Sequence, residues 1–139
     1  MSRFALYIHI VWATKHRQPY LTPEIEAAVY KLILTEVRSA GYEILALNGM
    51  SDHVHLLLQC GPQIDLSRLM KQIKGLSSAM VNEMHGTRHA FRWQDGYYAA
   101  TVTPSHLPKI RAYVENQKEH HQNNTTSPAW EEIGEAPKP

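Results

Sequence analysis

The chain has 139 residues, 43% of them hydrophobic and 19% charged, with a formal net charge of +1. That length suits one domain with a real core, no stretch approaches the roughly 20 uninterrupted apolar residues of a membrane span, and the balanced charge confines any nucleic-acid site to a local patch. The lone cysteine, Cys60, excludes an intrachain disulfide and reads as a small buried hydrophobe.

Leu6, Ile8, Ile10 and Trp12 alternate with Tyr7, His9 and Val11 across residues 4–14, the period of a strand. His9 interrupts this apolar stretch and no small-residue cleavage site follows, so it reads as the first strand of a cytoplasmic protein and not as an export signal. Thr22-Pro23 supplies an N-cap and a proline at the first helical position, and Ile25, Val29, Leu32, Ile33 and Val37 then recur at helical spacing as far as Gly41. A β-rich run over Tyr42–Leu47, the hairpin dipeptide Asn48-Gly49 and the run His53–Cys60 predict two antiparallel neighbours, joined at that dipeptide or by a hairpin a few residues longer. Asp65 can cap a second helix, whose stripe of Leu66, Leu69, Met70, Ile73, Leu76, Met80 and Met84 stops at His85-Gly86. Phe91–Trp93, a turn at Gln94-Asp95-Gly96 and the run Tyr97–Thr103 read as a short hairpin or a long final strand. Ser105 can cap a last helix, with Pro108 in its first turn and Leu107, Ile110 and Val114 on its buried side. His120 and His121 end it, where a cation near the carbonyls is favoured.

The order is β-α-β-β-α-β with an added helix, the split βαβ pattern of an α+β, ferredoxin-like (RRM-like) antiparallel sheet. Both long helices then cover one face of the sheet and the other is left open. Residues 1–121 form the single domain, and 122–139, polar and with three prolines, form a flexible tail.

Within Met50-Ser-Asp-His-Val-His-Leu-Leu-Leu58, the strand period of two puts His53 and His55 on one face and Val54, Leu56 and Leu58 on the other. The aliphatic face is buried against helices, so the imidazoles point to the open face, either as an ordinary polar surface or as ligands. As ligands they need a third. Tyr113 and Gln117, four residues apart on the last helix, share a face at the edge of its apolar stripe. Neutral imidazoles plus an amide oxygen suit a divalent cation with open positions, which a hard ion such as magnesium or manganese fills with phosphate oxygens and water. A phenol beside that metal can serve as a nucleophile.

His53-Val54-His55 is similar to the histidine-hydrophobe-histidine signature of HUH nucleases. Asp52-His-Val-His-Leu-Leu57 resembles the small single-tyrosine transposases of the insertion sequence 200/605 type, which include the REP-associated tyrosine transposases. Further blocks agree in order: His9-Ile-Val-Trp12, Thr14-Lys-His-Arg17, Lys74-Gly-Leu-Ser-Ser78, Trp93-Gln-Asp-Gly-Tyr97 and Tyr113-Val-Glu-Asn-Gln-Lys-Glu-His-His121. The resemblance covers roughly residues 4–121. It implies that His53, His55 and Gln117 bind Mg2+ or Mn2+, and that Tyr113 attacks the scissile phosphate of single-stranded DNA bearing hairpins at the element ends. Cleavage then leaves the 5′ phosphate on the tyrosine and a free 3′ hydroxyl. It also implies a homodimer, in which the tyrosine helix of one subunit can complete the histidine pair of the other, and no small-molecule cofactor or membrane. Family members often continue past the tyrosine helix with an aromatic and acidic segment, whereas this chain passes into Asn123-Asn-Thr-Thr-Ser-Pro128.

Lys15, Arg17, Arg68, Lys71 and Lys74 are candidate DNA contacts, with a solvated helix face as the plainer account of the last three. Trp93, Tyr97 and Tyr98 can stack on unpaired bases or simply pack. The competing reading is a catalytically silent, domesticated hairpin-nucleic-acid-binding protein of the same fold. Two-histidine phosphoesterases need two separated histidine-x-serine or threonine motifs, which are absent, and one cysteine supports a structural zinc site poorly.

Overall fold

In a computed structural model of the protein, which describes residues 3–86 and 90–131, the alternating N-terminal run becomes β1 (Leu6–Ala13). The chain continues through α1 (Pro23–Ser39), β2 (Glu43–Met50), β3 (His53–Cys60), α2 (Leu66–Met84), β4 (Tyr98–Val102), α3 (Leu107–Glu115) and α4 (Gln117–Gln122). The helix signals act as their chemistry requires. Gly41, at φ +85°, closes α1 by donating to the Arg38 carbonyl while Tyr42 donates to that of Val37, the paired bonds of a Schellman end. Asp65 caps α2 by accepting from the Arg68 backbone N–H at 3.2 Å.

The strands lie in the order β2-β3-β1-β4, every pair antiparallel, which is the ferredoxin-like arrangement. Ile10, Trp12, Val54, Leu56 and Leu58 form one face of the sheet. They pack against Ile25, Val29, Ile33 and Val37 of α1 and Leu69, Met70, Ile73 and Val81 of α2. This is the main core, and it fixes which face β1 and β3 leave for other work.

Two expectations about local elements are corrected. The turn between β2 and β3 falls at Ser51-Asp52, not at Asn48-Gly49, which pair with His55 and Val54 inside the ladder. Gly49 is needed there for closeness rather than for a turn: a Cβ on it would stand 2.2 Å from the His53 carbonyl oxygen. Phe91–Trp93 forms no strand beyond an isolated bridge from Trp93 to Thr14. Trp93 is buried against Trp12 and Phe91 and donates its indole N–H to Ser77 Oγ at 2.8 Å, so it is a packing residue.

The second sheet face is not open. Leu107, Ile110 and Val114 need burial just as the long helices do, and Ala46, Leu57 and Val102 offer an apolar strip to receive them, so α3 closes over that face as a second, smaller core. The following segment, expected as loose tail, continues the cover: Pro128–Trp130 forms a 3-10 turn, and Trp130 packs edge-on to Tyr113 with ring centroids 5.0 Å apart. The rest of the expected tail, 132–139, lies outside the described residues. Among the described residues no helix is long and apolar enough to cross a membrane.

Candidate metal centre and nucleophile

The β1–β3 register places Val11 opposite His55 and Ala13 opposite His53, so His9, Val11 and Ala13 share the histidine face. His53 and His55 are fully buried there and His9 nearly so. Each histidine of the pair has its Nδ1 engaged from behind. His53 Nδ1 stands 2.7 Å from Asp52 Oδ1, whose other oxygen accepts from Arg17 Nε at 2.9 Å. His55 Nδ1 stands 2.9 Å from His9 Nε2, with the two rings stacked. Arg17 reaches Asp52 from a kinked segment in which His16 and Arg17 both have φ of 56°, a left-handed conformation that costs non-glycine residues energy and is kept where geometry demands it. Both rings therefore turn Nε2 toward α3 and α4.

Tyr113 and Gln117 come in from the other side, both buried. The helix does not run straight through them: Asn116, at φ −101° and ψ 23°, separates α3 from α4. Asn48 on β2 pins this break by donating to the Glu115 carbonyl at 2.9 Å. Lys118 donates to Asn48 Oδ1 and the Gly49 carbonyl at 2.8 and 3.1 Å and pairs with Glu26. Within this one chain, Tyr113 thus lies against the chain's own histidines, with its ring 6.1 Å from that of His55.

Glu131 joins the two halves, and nothing in the sequence reading selected it. Its Oε1 stands 3.1 Å from Nε2 of each of His53, His55 and His121. Its Oε2 accepts from the Tyr113 hydroxyl and, at 3.0 Å, from Gln117 Nε2. The Tyr113 oxygen also accepts the Ser127 backbone N–H at 2.9 Å. His53, His55 and Glu131 hold their ligand atoms within 4.8 Å of one another, a grouping that can hold a metal ion. Two buried polar atoms at this junction, His53 Nε2 and Gln117 Oε1, make no hydrogen bond among the described residues.

Burial above all lowers His55, and burial with the neighbouring His55 pushes His9 down to about 3, so both rings are neutral at pH 7. Burial also pulls His53 down, but Asp52 and Glu131 outweigh it and its pKa is raised. For Asp52, burial pushes upward, and the hydrogen bonds and charges of His53 and Arg17 overcome it to hold the carboxyl at about 2. Glu131 is held well below the usual carboxylate range, burial being outweighed by His53, His55 and Tyr113. Burial and the bond to Glu131 push the Tyr113 phenol up to about 12.

Of the expected site, the structure brings together His53, His55, Tyr113 and Gln117. The five basic residues are not brought together. Lys74 gives its ammonium to the carbonyls of Gln94 and Gly96 at 2.7 and 2.8 Å, so it staples a loop. Arg17 is committed to Asp52. Arg68 and Lys71 are exposed on α2, which packs on the sheet face opposite to the histidines, and Lys15 is half-buried at the end of β1. His121, expected only as a helix-end cation, belongs to the centre. Strand parity could have found His9, and helical spacing from Gln117 could have found His121; for Glu131 the one signal is Trp130, a lone aromatic in a polar run. An aromatic and an acidic residue, Trp130 and Glu131, do follow the tyrosine helix, beyond the polar run 123–128.

A family model described as "Transposase IS200 like" matches residues 2–117. The transposase for insertion sequence element IS200 of Salmonella typhimurium is 32% identical over 123 residues, covering 85% of this chain and 80% of that protein. The ISDra2 transposase TnpA of Deinococcus radiodurans is 26% identical over 122 residues, covering 82% and 85%. Among solved structures, a transposase from Deinococcus radiodurans is similar with a TM-score of 0.67 and 30% identity, covering 84% of this chain and 93% of that one. A REP-associated tyrosine transposase bound to a REP hairpin shares the fold, with a TM-score of 0.64 at 14% identity over 91% of this chain and 76% of that one.

Proposed function

The chain belongs to the IS200-like transposase family, and from that premise we propose that it cleaves and rejoins single-stranded DNA through Tyr113, with a divalent metal ion held by His53 and His55. The observation that carries this reading is the convergence on one carboxylate of the Tyr113 hydroxyl and the buried Nε2 atoms of the histidine pair.

The residues fit a cation. His53 is readily protonated, its pKa being raised; in its neutral form, with the Nδ1 proton directed at Asp52, its Nε2 is a lone pair that faces a carboxylate oxygen without a hydrogen bond. Gln117 Oε1 is likewise a buried acceptor with no donor. Acceptors pointed at acceptors in a buried site cost energy that a bound cation removes. His53, His55 and Gln117, with Glu131 beside them, would hold it, and magnesium or manganese is the ion we assign. Such an ion polarises a phosphate and stabilises charge on a leaving oxygen.

The chain's own residues supply the rest. A phenol raised to about 12 is a weak nucleophile at neutral pH, so its proton needs an acceptor as it attacks. Glu131 Oε2, already bonded to that hydroxyl, takes it. The tyrosine oxygen forms a bond to phosphorus, the bond to the 3′ oxygen breaks, and that oxygen takes a proton from water to leave as a 3′ hydroxyl. The 5′-phosphotyrosine conserves the phosphodiester, so a second 3′ hydroxyl can displace Tyr113 with no outside energy source. Hairpin DNA at the element ends is the substrate, in keeping with the REP hairpin held by the structural relative, and two copies of the chain act together. Residues 1–121, joined by the segment that brings in Glu131, carry the DNA-processing chemistry, with Lys15, Arg68 and Lys71 as candidate backbone contacts.

The test is incubation with labelled single-stranded DNA carrying the element's own end, with Mg2+ or Mn2+, followed by denaturing electrophoresis. A covalent adduct is expected, and it disappears in Tyr113→Phe and with chelator. DNA that is bound but never cut under these conditions would leave only the catalytically silent, hairpin-binding reading.

A further inference from the structure

His121 lies one helical turn beyond Gln117, and its Nε2 meets the same Glu131 oxygen as His53 and His55, each at 3.1 Å. Its ring centroid is 4.8 Å from that of His53. A histidine serving only the carbonyl end of α4 would have no reason to turn inward. Its neighbour His120 turns elsewhere, stacking on Tyr113 and placing Nδ1 2.9 Å from Thr125 Oγ1. Three imidazole nitrogens from two elements thus surround one carboxylate oxygen, and the segment that follows α4 carries that carboxylate into the centre.

We propose that His121 and Glu131 complete the metal site of this chain, giving it three imidazoles and a carboxylate, and that this donor set selects a first-row transition ion over magnesium. The inference rests on the metal reading above and narrows it. Magnesium favours oxygen ligands and keeps several of its waters, whereas imidazole nitrogen suits manganese, cobalt and zinc increasingly along the series. An amide oxygen and two histidines would leave the choice open; a third imidazole tilts it. The donors also sit on parts of the chain that differ in attachment. His53 and His55 are fixed in the central strand, while His121 and Glu131 arrive with the tyrosine helices, so filling the site ties Tyr113 to the sheet.

Cobalt(II) is the probe, because its visible absorption reports the number and kind of its ligands independently of any cleavage. The full-length protein is titrated with cobalt, then with excess magnesium, alongside His121→Ala, His121→Glu, Glu131→Gln and His53→Ala, each first shown by circular dichroism to keep the wild-type fold without metal. Wild type is expected to bind cobalt and to keep its spectrum against magnesium. His121→Ala is expected to weaken cobalt binding by about 10- to 100-fold and to alter the spectrum. His121→Glu, an oxygen donor of similar reach, should restore binding and move the preference toward magnesium. An unchanged affinity and spectrum in His121→Ala, with binding lost in His53→Ala, would overturn the role of His121 and leave the metal reading standing. Cobalt displaced from wild type by equimolar magnesium would overturn the selectivity. Cobalt bound equally by wild type and His53→Ala would remove the metal reading itself and this inference with it.

Discussion

Replacing Asp52 with asparagine keeps the shape of the side chain and removes its charge. The carboxylate spans Arg17 and His53 and is 25% exposed, so solvent screens it only in part. Its carboxyl titrates at about 2 in the fold against an ordinary value of 3.8, a gap that corresponds to roughly 2 kcal/mol of stability. Because the folded value is depressed, this contribution is complete above 3.8 and is lost as pH falls through about 2. His53 works in the opposite sense: its folded value is raised above 6.5, so the share owed to its protonated ring is present below 6.5 and fades as pH climbs through the folded value. The deficit of Asp52→Asn is therefore greatest near about pH 5, with Asp52 ionised and His53 charged, and linkage leaves about half of the Asp52 share by about pH 3. Urea unfolding in the presence of chelator measures it, and for a slope of about 2 kcal/mol/M the midpoint moves down by about 1 M at the higher pH. No shift there, or the same shift at both pH values, would refute the account of the Arg17–Asp52–His53 chain.

His9→Ala removes the ring that holds His55 from behind; the affinity for manganese should fall about 10- to 100-fold by isothermal titration, and His9→Gln, which can still bond His55 Nδ1, should recover most of it. Gly49→Ala would drive a Cβ to 2.2 Å from the His53 carbonyl oxygen and should cost more than about 3 kcal/mol in urea unfolding. Gly75→Ala, in α2 with nothing within 4 Å of the added carbon, should instead stabilise by about 1 kcal/mol. Lys74→Ala frees the carbonyls of Gln94 and Gly96 and should cost about 2 kcal/mol, while single-stranded DNA affinity, read by fluorescence anisotropy, stays unchanged.

The sheet and its two long helices were legible because period two and period 3.6 are written in residues that have no other reason to alternate: Ile10 and Trp12 against His9 and Val11, Val29 and Ile33 against Glu26 and Tyr30. The histidine pair followed from the same parity. What sequence did not disclose is carried by irregular backbone. Glu131 reaches the centre from a 3-10 turn after a non-repetitive run, and no periodicity relates it to His53, 78 positions earlier by residue number. The burial of the histidine face was missed for a related reason. A helix of nine residues with an apolar stripe of three, Leu107, Ile110 and Val114, looks marginal alone, and only the strip of Ala46, Leu57 and Val102 across the sheet makes it a core.

Asn48-Gly49 shows how a strong local signal can be correct about chemistry and wrong about place. In isolation the dipeptide asks for a turn. Two stronger demands keep it in the ladder instead. β3 must approach β2 so closely at His53 that no Cβ fits at position 49, and the junction of α3 with α4 leaves backbone and side-chain groups that need partners on β2. Asn48 meets the second demand, donating to the Glu115 carbonyl and accepting from Lys118, which also bonds the Gly49 carbonyl. The break at Asn116 is thus held in place between Tyr113 on one side and Gln117 on the other. A straight helix would have aligned those two residues by spacing alone. Here they meet at Glu131 because β2 fixes the bend between them, so the residues that looked like a hairpin position the tyrosine helices over the histidines.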